Sequence, residues 1–284
     1  MVEKSVRLAD GTLVPALGQG TWCMGEDPAR EREELAALRR GIELGMTLID
    51  TAEMYGDGGA ERLIGKALAG MRDHVFLVSK VYPFNAGGKE LVSSCENSLR
   101  RLNTDHLDLY LLHWRGQVPL RETIAGMERL IDSGKIRRWG VSNLDVADMT
   151  ELFDTSGGRN CAVNQVLYHL GSRGIEHDLL PWQRRQGMPV MAYSPLAQAG
   201  RMLRGMLENS TLREIAARHD ADPLQVMLAW CLHHEDLLVI PKASTPEHVS
   251  VNAAATQIRL EAEDWRLLDQ AFPAPGHKVP LDII

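Results

Sequence analysis

The sequence predicts an α/β fold: a (β/α)8 TIM barrel with an N-terminal β-hairpin, built as a single domain over residues 1–284. Three observations predict it. Short β-rich apolar runs recur at intervals of about 30 residues, segments with helical periodicity lie between them, and no linker, low-complexity tract or long charge run interrupts the alternation. Strand, helix, strand in that order implies parallel strands joined by crossover helices, and eight strands fit a closed barrel better than an open sheet. A chain of 284 residues could hold two average domains, but α/β barrels commonly fill this length as one.

The first element is the hairpin. Residues 5–8 and 13–14 flank Asp10-Gly11, a dipeptide that favours the tight turns joining antiparallel strands. Barrel strands are then read at 16–18, 47–50, 75–80, 107–113, 139–142, 162–165, 189–193 and 237–240. Between them, residues 31–44 place Leu35, Leu38 and Ile42 three and four apart, and Gly45 ends that helix. Residues 90–102 repeat the logic with Leu91, Cys95, Leu99 and Leu102, and 124–131 and 212–217 behave similarly. The rival architecture is a doubly wound dinucleotide fold, which requires G-x-G-x-x-G after its first strand. Gly18-Gln19-Gly20-Thr21-Trp22-Cys23 lacks the third glycine, so any dinucleotide is bound without that fingerprint.

Composition narrows the function classes. Hydrophobic residues at 44% and charged residues at 24% exclude wholesale disorder. With 31 basic and 38 acidic side chains the net charge is −7, a surface that repels polyanions, so neither nucleic acid nor an anionic membrane is an expected partner. The longest uncharged stretches, 11–25 and 186–200, contain Gly and Pro and fall short of the roughly 18 apolar residues of a membrane span. Met-Val-Glu-Lys opens the chain without a secretory apolar core. The expectation is a cytoplasmic monomer. Cys23, Cys95, Cys161 and Cys231 form no C-x-x-C pair and read as small buried or half-buried side chains; no metal site is expected. His233-His234-Glu235-Asp236 reads as solvated helix-end charge, because adjacent helical positions point about 100° apart.

Chemistry gathers at the strand ends. Seven of the eight runs stop at or just before a polar side chain: Asp50, Lys80, His113, Ser142-Asn143, Gln165, Tyr193 and Lys242. In a barrel these ends share one rim, where active sites form. Each residue alone could simply meet solvent, and their coincidence on one face favours a polar ligand. Asp50, Lys80 and His113, with Tyr55 on the loop after Asp50, make a coherent acid–base unit. A phenol is a poor acid at neutral pH, a nearby ammonium is expected to lower its pKa, and a carboxylate would hold that ammonium charged. His113 could orient a substrate oxygen from the other side.

These residues sit in motifs that resemble the aldo-keto reductases from about Leu8 to Asn252. The motifs are Gly-Gln-Gly-Thr-Trp at 18–22, Asp-Thr-Ala-Glu-Met-Tyr-Gly at 50–56, Val-Ser-Lys-Val at 78–81 and Leu-Asp-Leu-Tyr-Leu-Leu-His-Trp at 107–114. They continue with Gly-Lys-Ile-Arg-Arg-Trp-Gly-Val-Ser-Asn at 134–143, Tyr-Ser-Pro-Leu at 193–196 and Ile-Pro-Lys at 240–242. Within the family the chain is most similar to compact bacterial members active on methylglyoxal and other small aldehydes. The resemblance implies NADPH-dependent reduction of small aldehydes and α-dicarbonyls. Asp50, Tyr55, Lys80 and His113 would be the catalytic tetrad, with Tyr55 as general acid. It also implies that Ser142, Asn143 and Gln165 bind the nicotinamide carboxamide, that Tyr193 stacks on the ring, and that Thr21 and Asp50 lie near the adjoining ribose. Ser194, Leu196 and Gln198 would border the pyrophosphate, and Lys242 with Ser244 would hold the 2′-phosphate.

The chain departs from the family pattern after Lys242: His248 stands where arginine is expected and Val251 where glutamate is, while Asn252 matches. Losing a guanidinium removes a bidentate phosphate contact, so a weaker NADPH preference is expected. Trp22, Met54, Tyr82 and Trp114, with His113, are read as the substrate wall. The tail after Phe272 is short, which predicts an open pocket. Two other classes stay open at this level: a lyase or aldolase using Lys80 as a Schiff-base amine, and a cofactor-holding regulatory module.

Overall fold

The structure, a computed structural model, describes Val2 and residues 4–284. The hairpin forms as expected: β1 (Ser5–Arg7) pairs antiparallel with β2 (Leu13–Pro15), and Val6 and Val14, opposite one another, are both buried. The Asp10 carboxylate accepts the Thr12 N–H at 2.9 Å, and Gly11 takes a φ of 88°, which closes the turn.

Eight strands follow: β3 (Gln19–Gly20), β4 (Leu48–Asp50), β5 (Phe76–Val81), β6 (Leu109–Leu112), β7 (Trp139–Ser142), β8 (Asn164–Leu167), β9 (Val190–Tyr193) and β10 (Leu237–Ile240). Each pairs in parallel with the next. The seam between first and last closes through Gly18 N–H to Val239 O at 2.8 Å, Val239 N–H to Ala16 O at 2.7 Å and Gly20 N–H to Pro241 O at 3.0 Å. Both glycines permit close backbone approach, Gly20 at the seam and Gly18 against β4. A Cβ on Gly18 would lie 2.7 Å from the Leu48 carbonyl oxygen, and one on Gly20 would lie 2.9 Å from that of Ile240. Gln19 between them turns outward, and its amide donates to Leu38 O and Met46 O.

The outer ring comprises α1 (Glu31–Glu43), α2 (Gly59–Ala67), α3 (Gly88–Leu102), α4 (Leu120–Asp132), α5 (Val146–Asp154), α6 (Leu179–Arg185), α7 (Arg201–Glu208), α8 (Ser210–Arg218), α9 (Pro223–His233), α10 (Pro246–Ala254) and α11 (Ala262–Ala271). The four segments with visible periodicity became α1, α3, α4 and α8. α9 has none because Val226 through Leu232 are all buried, so no polar stripe marks it. No helix of the described residues is long and apolar enough to cross a membrane.

Several expectations change. The first barrel strand lies at 19–20 rather than 16–18, although Leu17 still bridges Val239. The strand read at 162–165 runs to Leu167, which puts Gln165 inside it. Cys95, Cys161 and Cys231 are buried, but Cys23 is exposed on a rim loop with a left-handed φ of 59°. His233 is exposed as expected, whereas His234 is half-buried between Tyr168 and Trp230. Burial pushes the His234 imidazole down to about 4, so it is neutral, not a solvated charge.

Candidate active site

Barrel geometry puts the C-terminal strand ends on one rim, and there the four expected side chains meet. Asp50 ends β4, Lys80 lies near the end of β5, and His113 follows β6; all three are buried. Tyr55, half-buried, comes from the loop between β4 and α2. The Lys80 ammonium donates to Asp50 Oδ2 at 2.7 Å, to the Thr51 carbonyl at 2.8 Å and to the Tyr55 hydroxyl at 3.1 Å. Its three protons are thereby used. The rings of Tyr55 and His113 meet edge to face at 5.9 Å.

A second network joins this unit. Gln165 Nε2 donates to Asp50 Oδ1 at 2.7 Å, so the carboxylate is held on both oxygens. The Ser142 hydroxyl donates to Gln165 O, and Thr21 donates to Asp50 O. Tyr193 OH donates to Asn143 Oδ1 at 2.9 Å while Asn143 Nδ2 donates to His113 O at 3.2 Å, which sets the amide's orientation. The Gln165–Asp50 link leaves no signal in the sequence, since its partners are strand positions 115 residues apart.

Asp50, Tyr55, His113 and the groups of this second network line a cleft of about 450 Å3, together with Trp22, Cys23, Met54, Trp114, Ser194, Leu196, Gln198 and Lys242, whereas Lys80 is fully buried and does not line it. Its loops are strained: Cys23, Asn143, Ser194 and Ala197, all lining it, hold left-handed φ values between 47° and 59°. Such strain persists where the surroundings over-determine the backbone and clusters at functional sites. Tyr82 lies behind the wall instead, stacked on Phe84 at 4.7 Å and edge-on to Trp114 at 6.0 Å. Ser244 is buried beside Lys242, His248 is exposed on the first turn of α10, and Asn252 is buried on that helix; none of the three lines the cleft. The tail departs from expectation: Ile283 and Ile284 reach the cleft and line it, with Lys278 tied to Asp145 at 2.6 Å and to Asp178 at 3.0 Å. These two ion pairs fasten the tail across the rim.

The aldo/keto reductase family model matches residues 16–272. The chain belongs to the aldo/keto reductase family. The methylglyoxal reductase YeaE of Escherichia coli (strain K12) is 59% identical over the full length of both chains. The glyoxal reductase of Bacillus subtilis (strain 168) is 31% identical over 94% of this chain and 92% of its own. A crystal structure of an aldo/keto reductase from Klebsiella pneumoniae in complex with NADP and acetate superposes with a TM-score of 0.97, at 55% identity, over the whole of both chains.

In this aldo/keto reductase, burial dominates the electrostatics of the site. Burial raises the Tyr55 phenol above its ordinary value; Lys80 pulls it down, but not far enough to give the lowered pKa expected from the residues alone. Burial opposes the Lys80 charge, yet Asp50 and Tyr55 outweigh it and the ammonium titrates above its usual range. Burial, with Lys80 adding to it, depresses His113 to about 2, so the ring is neutral. Its Nδ1 is buried without a hydrogen-bond partner among the described residues. A buried lone pair costs less than a buried N–H, which assigns the proton to Nε2, the nitrogen left for the cleft.

His169 is buried too, and its Nδ1 accepts the Gly171 N–H at 3.0 Å, a bond that protonation there would break. Burial lowers its pKa to about 4. The folded state thus declines protons that the unfolded chain takes up near 6.5. Stability is full above that value and falls as pH drops toward 4, by up to about 1.4 kcal/mol per pH unit for each such histidine. Urea unfolding at about pH 7 and about pH 5 is expected to show a smaller loss for His169→Asn than for wild type; equal losses would remove His169 from this account.

Proposed function

We propose that this protein is an NADPH-dependent reductase of small aldehydes and α-dicarbonyls of the methylglyoxal type, acting as a cytoplasmic monomer. The observation that carries the reading is the buried Asp50–Lys80–Tyr55 chain of hydrogen bonds, which ends in a cleft beside a neutral His113. The residues suit the dinucleotide. One hydroxyl and two amides converge near a tyrosine ring, and at the far end Lys242 forms no ion pair among the described residues, which leaves its ammonium for a ligand anion.

When bound, the dinucleotide supplies a hydride to the carbonyl carbon. Ser142, Asn143 and Gln165 would hold its carboxamide, Tyr193 would back the ring, and Thr21 and Asp50 would face the ribose. Ser194, Leu196 and Gln198 would border the pyrophosphate, while Lys242 and Ser244, with His248 and Asn252 nearby on α10, would stand at the 2′-phosphate end. Tyr55 holds its proton throughout the neutral range, because its pKa is raised, and gives it to the carbonyl oxygen. Lys80, held charged by Asp50, stabilises the phenolate that results. His113 Nε2–H points the carbonyl oxygen toward Tyr55. Trp22, Met54, Trp114, Ile283 and Ile284 form an apolar wall suited to short, weakly polar substrates, and Tyr82 braces Trp114 from behind.

The Schiff-base reading finds no support: all three protons of Lys80 are committed and its pKa is raised, so the amine is not a free nucleophile. The test is NADPH oxidation, followed by absorbance, against a panel of small aldehydes, ketones and dicarbonyls. Turnover of methylglyoxal and short aldehydes is expected, and no turnover of any carbonyl would overturn the proposal.

A further inference from the structure

The barrel seam brings together two basic residues, Arg30 and Lys242, that the sequence separates by 212 positions. Arg30 stands at the N-terminus of α1, placed there by a turn in which Asp27 caps the Ala29 N–H at 2.9 Å and Pro28 starts the bend. β3 and β10 are neighbours across the seam, so α1 packs against α10, and Arg40 on α1 donates to Ser250 on α10 at 3.2 Å. Arg30 Nη2 consequently reaches the Ser244 hydroxyl oxygen at 2.8 Å. Lys242 Nζ donates to that same oxygen at 3.2 Å.

Two cations thus converge on one neutral oxygen, an arrangement that repels itself unless an anion lies between them. The described residues supply little compensation. Glu34 comes only within 4.0 Å of Arg30 Nε, and its other oxygen accepts the Gly25 N–H at 2.9 Å. Arg30 keeps nitrogens free on a side chain 43% exposed. α10 begins just beyond Ser244, and the positive end of its dipole adds to the field. A guanidinium fork, an ammonium and a hydroxyl are a donor set for a phosphate monoester.

We infer that Arg30 reads the cofactor's 2′-phosphate jointly with Lys242 and Ser244, supplying from α1 the guanidinium that His248 does not supply from α10. This rests on the proposed use of NADPH and adds its specificity determinant. It also revises the expectation of a weakened preference: the charge is present, but it enters from the other side of the seam.

The test is cofactor dissociation constants, by fluorescence titration with NADPH and NADH, for wild type, Arg30→Met, Arg30→Lys and His248→Ala. Arg30→Met is expected to weaken NADPH binding about 10- to 100-fold and to leave NADH within about twofold, as for the loss of a charge-assisted contact to phosphate alone. Arg30→Lys should recover part of the loss, and His248→Ala should weaken NADPH binding less than Arg30→Met does. Equal weakening of both cofactors by Arg30→Met would show a structural role only, and no change in either would also overturn the inference, as would a larger effect from His248→Ala. The underlying reading fails separately: a wild type that binds NADH as tightly as NADPH, or neither, would overturn the proposed function as well.

Discussion

Tyr55→Phe is expected to fold, to bind NADPH within about threefold of wild type, and to lose turnover by about 10²–10⁴-fold, the usual contribution of a positioned general acid. The change removes one oxygen atom. Among the described residues, the only hydrogen bond it breaks comes from Lys80, which keeps Asp50 and the Thr51 carbonyl. The phenyl ring can still sit 4.8 Å from the ammonium and edge-on to His113. Because burial raises the phenol's pKa, wild-type reduction should hold level from neutral into mildly alkaline pH and fall only as Tyr55 ionises. The reverse oxidation, which needs the phenolate as base, should gain over that alkaline range. Steady-state kinetics in both directions checks this. A mutant with more than about a tenth of wild-type kcat would show that Tyr55 is not the acid.

Lys80→Met is expected to cost both activity and stability. Removing the ammonium strips the phenolate of its support, so kcat should fall at least as far as in Tyr55→Phe, and any residual activity should persist to higher pH because the phenol then meets burial without the opposing charge. It also leaves Asp50 as a buried carboxylate with Gln165 as its remaining side-chain donor. Breaking a buried ion pair from one side costs about 3–5 kcal/mol. Adding Asp50→Asn should restore much of that stability without restoring turnover, and denaturant unfolding of the single and double variants measures the difference. Full activity in Lys80→Met would discard the electrostatic role. Borohydride trapping of a carbonyl substrate on wild type but not on the variant would install the Schiff-base role instead.

The period of strand and helix and the polar residues at strand exits were legible because each is a local pattern of alternation or spacing. The grouping of Asp50, Tyr55, Lys80 and His113 was legible only through family motifs at three separate strand ends, which the fold brings together. The barrel follows from the alternation, since seven right-handed crossovers between eight strands bring the strand ends to one rim whatever the loops contain. Helices without a polar stripe, such as α9, were not legible, because a segment buried all round carries no period. Tertiary structure alone decided three matters. The direction of the Tyr55 shift depends on how deeply the loop buries the phenol, and that desolvation outweighs the adjacent ammonium. The tail reaches the cleft because Lys278 finds Asp145 and Asp178 more than 90 residues away. Arg30 meets Ser244 only because the seam joins the first strand to the last. Contacts between the two ends of a chain leave no trace in local spacing; they arise when the hydrogen bonds of a closed sheet place those ends side by side.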